Sequence, residues 1–188
     1  MENTELREKI LNATLQAFNN KGLKFTMDDI TAILGISKKT IYTVFEDKKS
    51  LISEMVDYCF DSIKESEQQV LQDESLDTVE KIRAILGVLP EGYKDLNLEQ
   101  LYQLRDKYPK VYKKVQEHLE SGWENTISLI EQGIAEKRIR TVSIPILKTM
   151  MEATLEQFFQ RDVLVCNKIS YQEALDEVVM ILMQGITN

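Results

Sequence analysis

The chain has 188 residues, a net charge of −8 and a hydrophobic share of 43%; that length supports one or two domains with a real core, and the acidic balance argues against a surface that binds nucleic acid everywhere. No stretch approaches the ~18 apolar residues of a membrane span, and the opening MENTELREK has no secretory pattern. Cys59 and Cys166 lie far apart inside apolar patterns and read as buried thiols in a reducing compartment, so the expected location is cytoplasmic.

The first helix is expected over residues 3–21, with Leu6, Ile10, Ala13, Ala17 and Phe18 on one face and Asn19 to Gly22 as its end. Thr26 then stands as the cap of a second helix carrying Ile30, Ile33 and Leu34. Asp29, three residues on, is at capping-box spacing, and Asp28 joins it in the first turn, where negative charge suits the helix dipole. Gly35 stops that helix, and Ser37 caps the next. Ile41, Val44 and Phe45 give the third helix, Ser37 to Phe45, one apolar face. Lys38, Lys39, Thr40, Tyr42 and Thr43 occupy the other, with no acid in between. Helix, glycine turn and second helix with a basic, hydroxyl-bearing face form a DNA-reading pattern. Taken alone, two lysines on an exposed helix are usually a solvated face, and glycine turns join helices in many proteins.

Asp47 caps a fourth helix of about 25 residues, long enough to connect two parts of a molecule. Lys48 and Lys49 at its start extend the basic strip, and no Gly/Pro-rich linker follows. Further helices are expected over 76–89, over 97–107, from Tyr108-Pro109 in one long run to about Lys137, from Pro145, and from Ser170. The last two carry Leu147, Met151, Leu155 and Phe158, and Leu175, Val178, Val179 and Leu182. Ile146, Ile181 and Met183 widen the stripes, and a helix apolar on more than one side needs more than one neighbour. Charge divides along the same line: residues 1–50 hold eight Lys/Arg and seven Asp/Glu, and residues 51–188 fifteen and twenty-four.

Residues from about Leu6 to Leu51 resemble the N-terminal domain of the TetR/AcrR family of transcriptional regulators. The likeness rests on the helix Ile10 to Phe18, Gly22, Thr26, Ile30, Gly35-Ile36-Ser37, Thr40-Ile41-Tyr42, Phe45, and Lys48 with Leu51. Thr31 and Leu34 depart from the small residues usual there. The resemblance implies an all-α protein of about nine helices. A three-helix DNA-binding head, residues 1–47, would be joined by the long helix to a ligand-binding and dimerisation body, residues 48–188. It implies a homodimer that binds a palindromic double-stranded operator, acts as a repressor and is released by a small-molecule effector. Thr26, Ser37, Tyr42 and Lys48 would then hold phosphates, Lys38, Lys39 and Thr43 would face base edges, and Thr40 could serve either role. Leu147, Met151, Leu155, Phe158, Leu175, Val178, Val179 and Leu182 would form the dimer interface. Tyr93, Tyr102, Trp123, Met151 and Phe158 are candidates to line a pocket for an apolar or aromatic effector, although aromatics at helical spacing are more often plain core.

No catalytic constellation is visible. His118, the one histidine, has no Cys or His at ligand spacing, and no phosphate loop or nucleophile elbow occurs, so neither metal nor cofactor is expected. The alternative reading is a helical dimeric adaptor without sequence-specific DNA binding.

Overall fold

Apolar residues at helical spacing recur along most of this chain, and helices are what form. The computed structural model describes residues 2–90 and 98–188, with side chains from residue 4 in the first stretch and from residue 103 in the second. α1 spans Glu2–Lys21, α2 Met27–Leu34, α3 Lys38–Tyr42 and α4 Lys48–Gln72, with a 3-10 turn, Gly22–Lys24, after α1. α5 (Thr78–Leu86), α6 (Leu98–Lys107), α7 (Pro109–Glu120), α8 (Glu124–Ala135), α9 (Ile144–Gln160), α10 (Val163–Asn167) and α11 (Tyr171–Ile186) follow. Among the described residues no strand forms, and an isolated antiparallel bridge pairs Ile139 with Thr187. The fold is all-α, with an N-terminal helix-turn-helix and helical C-terminal portion.

The chain forms two compact units. The first comprises Met1–Asp61 and Asn97–Val115. Here α1 packs on α2, α2 on α3, and α6 on the 3-10 turn. Ile10, Phe18, Phe25, Ile30, Ile41, Phe45, Leu51 and Ile52 are almost wholly withdrawn from solvent and make its core. Burial of such side chains contributes about 1.5–3 kcal/mol each, which is what holds three short segments on one support. Thr14, buried among them, donates its hydroxyl to the Ile10 carbonyl at 2.7 Å, so its own polar group is satisfied. Lys114 of α7 reaches Ser53 at 2.8 Å and Asp57 at 2.7 Å, both on α4.

The second unit comprises Ser62–Leu96 and Gln116–Asn188. α5 packs on α8 and α11 on α5, over a core that includes Ile82, Ile130, Ile139 and Met183. Tyr171 stacks on Phe159 with ring centroids 5.4 Å apart and meets Phe158 edge-on at 6.2 Å. Its phenol is pushed well above the usual range by burial.

Two helix boundaries beyond α4 differ from the expectation. The long helix from Pro109 is broken into α7 and α8 by Gly122, whose φ of +72° only glycine adopts freely. Its carbonyl accepts Lys64 Nζ at 2.7 Å, and a Cβ there would lie 2.6 Å from Lys64 Cε. Trp123 follows, and its indole N–H donates to the Leu119 carbonyl at 3.0 Å, an acceptor left over at the end of α7. The second difference is α10, five residues between α9 and α11, ended by Lys168 at φ +55°.

Gly133 in α8 is a close-approach position: a Cβ would meet Ile139 Cγ1 at 2.7 Å and Ile82 Cδ1 at 3.3 Å. Gly133→Ala should therefore lower stability by about 1–3 kcal/mol through overpacking. Gly185→Ala, in α11 with open space around the new methyl, should be neutral or stabilising by up to ~1 kcal/mol. Urea unfolding of the two variants checks the contrast.

Candidate nucleic-acid interface

Thr26 is extended at φ −121°, and its hydroxyl accepts from the Asp29 backbone N–H, while the Asp29 carboxylate accepts from the Thr26 N–H at 2.8 Å. This is a complete capping box with Asp at the third helical position. Lys21 donates to the same carboxylate at 2.5 Å. The Lys21 hydrogen bond, then the Thr26 N–H, hold Asp29 down at about 2. α2 buries Met27 and Ile30, leaves Leu34 half-buried, and exposes Ile33, an apolar residue that periodicity alone had placed inward.

Gly35 ends α2 at φ +68°, the left-handed conformation, and its N–H donates to the Thr31 carbonyl at 2.8 Å. Ser37 then accepts from the Thr40 N–H at 3.1 Å. α3 itself is only five residues, shorter than the expected run to Phe45, although N–H bonds from Val44 and Phe45 to the Ile41 carbonyl, each 3.0 Å, carry the turn onward. Ile41 and Phe45 are buried, and the Arg7 guanidinium lies 5.1 Å from the Phe45 ring centre, a cation–π contact.

These anchors decide what α3 presents. Ser37, Lys38, Lys39, Tyr42 and Thr43 are exposed, and Tyr42 keeps half its surface open although it is a large aromatic. Thr40 is half-buried, with its hydroxyl 2.9 Å from that of Ser37, and the Thr43 hydroxyl donates to the Thr40 carbonyl at 2.6 Å. Thr26 is exposed but already engaged in its cap. Lys48 is half-buried and engaged differently. Its ammonium donates to the Leu23 carbonyl at 2.7 Å and to the Phe25 carbonyl, 4.1 Å from the centre of the Phe25 ring. Burial and, secondarily, Lys107 pull its pKa down. Lys48 thus ties the loop before α2 to the start of α4.

One charged neighbour of α3 is absent from the sequence-derived set. Asp28, in the first turn of α2, forms an ion pair with Lys38 at 2.9 Å, and the hydrogen bond to it raises the Lys38 pKa. Ten residues separate the two in the chain, so only the turn geometry reveals the pair.

The body candidates divide. Tyr93 lies outside the described residues, and so does the side chain of Tyr102. Met151 is buried, Trp123 is half-buried at the α7–α8 break, and Phe158 is half-buried against Tyr171. A cleft of about 600 Å³ in the second unit has a different, mostly polar lining that includes Asp77, Lys81, Gln132 and Arg138. Of the interface candidates, Leu147, Met151, Leu175 and Val179 are buried within the single chain, and Leu155, Phe158, Val178 and Leu182 are half-buried. The exposed large hydrophobic residues of α9 and α11 are Ile146, Met150, Met180 and Ile181.

The family model described as bacterial regulatory proteins, tetR family, matches residues 10–55, the segment that holds both caps, the Gly35 turn and α3. That segment is similar to the DNA-binding domain of the tetR family. The chain's likeness runs beyond it. The HTH-type transcriptional regulator YvaF of Bacillus subtilis is 27% identical over 180 residues, covering 96% of this chain and 95% of the relative. A TetR-family regulator from Cytophaga hutchinsonii superposes with a TM-score of 0.72 at 22% identity, over 100% of this chain and 97% of the other. One from Agrobacterium tumefaciens does so with 0.69 at 17%, over 99% and 100%. The chain is thus similar along its length to TetR-family transcriptional regulators, and residues 10–55 match that family's DNA-binding helix-turn-helix. Among the described residues no helix is long and apolar enough to cross a membrane.

The Asp29 cap carries a pH signature. Its folded pKa lies below its ordinary 3.8, so its contribution to stability is complete above that value and is lost as the pH falls toward about 2. Asp29→Asn should flatten the acid limb of the stability curve across that window. Thermal melts by circular dichroism between pH 2 and 5 measure it.

Proposed function

We propose that this regulator is a homodimeric, effector-released repressor that reads a palindromic operator. The observation that carries the reading is the pair of capped helices around Gly35, which leaves Lys38, Lys39, Tyr42 and Thr43 exposed on one short helix. Lys38, Lys39 and Thr43 face base edges, and Thr26, Ser37, Tyr42 and Lys48 lie along the phosphates, with Thr40 between the two roles. Lys48 acts there chiefly by fixing the loop ahead of α2, since its donors are used on Leu23 and Phe25. The working division is a DNA-binding head, 1–47, and a regulatory body, 48–188, in the cytoplasm.

The chain is acidic overall, so one weakly basic head needs a second copy for useful affinity. Two heads related by a two-fold axis would enter major grooves roughly 34–36 Å apart. The apolar residues left exposed on α9 and α11, Ile146, Met150, Met180 and Ile181, suit the centre of that dimer contact, with Leu155, Phe158, Val178 and Leu182 at its base. An effector held in the body shifts DNA affinity only by binding the two head spacings unequally. Its chemistry is taken as apolar or aromatic on the strength of the body's aromatic residues.

The experiment is binding to the DNA upstream of the protein's own coding region, and to fragments selected from the whole genome, over a salt series. Two subunits per palindromic site and affinity falling steeply with salt would support the reading. Preference for no duplex at any salt would overturn it. Tyr42→Ala should cost at least about tenfold in operator affinity with the dimer intact by sedimentation. Ile146→Glu or Ile181→Glu should give folded monomers that bind the operator weakly.

A further inference from the structure

The charges around α3 nearly cancel. From Thr26 to Lys49 the chain carries Lys38, Lys39, Lys48 and Lys49 against Asp28, Asp29, Glu46 and Asp47. Lys48 is committed to backbone carbonyls, and Asp29 to its cap and Lys21. That leaves Lys38 and Lys39 as the lysines of α3 itself. Lys38 is paired with Asp28 at 2.9 Å, with both side chains at least half exposed, and among the described residues no acid pairs with Lys39. Asp28 is held in place by the helix it starts, where the dipole favours its charge.

We propose that Asp28 is a specificity-determining residue of the DNA-binding head. By occupying Lys38 in the free protein, it withholds that lysine from phosphates of arbitrary sequence. Lys38 is released only where a correctly placed acceptor on the operator competes with the carboxylate. An exposed ion pair is weak enough to exchange but must be broken for each phosphate contact, so it penalises non-specific binding in particular. The proposal rests on the DNA-reading function above.

The test is a double-mutant cycle on Asp28 and Lys38 with the selected palindromic duplex and its scrambled counterpart. Asp28→Asn should tighten binding to the scrambled duplex by about two- to fivefold, and tighten operator binding less, so the specificity ratio falls. The salt slope on the scrambled duplex should steepen by about one, the signature of one more phosphate contact. Lys38→Met should cost more affinity for the scrambled duplex in the Asp28→Asn background than alone, whereas Lys39→Met should cost the same in both. Asp28→Ala, which also removes the acceptor, should behave as Asp28→Asn does, with melting curves confirming the fold.

Additive effects of the Asp28 and Lys38 changes would overturn the proposal and leave Asp28 as a distant charge only. Weaker binding by Asp28→Asn would overturn it too, by making the pair a positioning contact for the bound state. Either result leaves the DNA-reading function standing. Failure of the unsubstituted protein to bind any duplex in a salt-dependent way would sink that function, and this inference with it.

Discussion

A helix of five residues closes too few hydrogen bonds to offset its own nucleation, so α3 exists only through what holds its two ends and its inner face. Ser37 satisfies a free N–H at one end, and Gly35 turns the chain sharply enough to bring that end beside α2. Ile41 and Phe45 pin the inner face into the core of the first unit. Remove any of these and the exposed side chains Lys38, Lys39, Tyr42 and Thr43 lose their common direction. The exposed face of α3 is thus a by-product of the buried and capping residues that hold it.

The same economy governs the charges. A head that binds DNA needs cations, yet Asp28 and Asp29 are placed at the start of α2, where the helix dipole and the capping box stabilise them. Each of these carboxylates engages a lysine, Lys38 or Lys21. The result is a head whose local stability and DNA attraction draw on the same residues. The net negative charge of the chain lies in the remainder, residues 51–188.

In the second unit, local breaks matter as much as helices. Gly122 divides α7 from α8 because its backbone takes a conformation that a side chain resists, and Lys64 fills the space beside it. Trp123, which by composition suggested a ligand-lining aromatic, seals a helix end through its indole N–H. The stripe residues of α9 and α11 separate into those that serve the single chain, such as Leu147 and Val179, and those left exposed, such as Ile146 and Ile181.

The sequence by itself determined the helical class, the two caps, the Gly35 stop and the basic outer face of α3, because each depends on residues within one or two turns of each other. It also pointed to the family through the spacing of Gly35, Ser37, Tyr42, Phe45 and Lys48. Tertiary structure alone decided the rest. The Lys38–Asp28 pair and the Lys48 ties to Leu23 and Phe25 join residues from separate elements, so no local pattern encodes them. Periodicity tells an apolar face from a polar one. It cannot tell which apolar positions a neighbouring helix covers, since burial is a property of the packed arrangement.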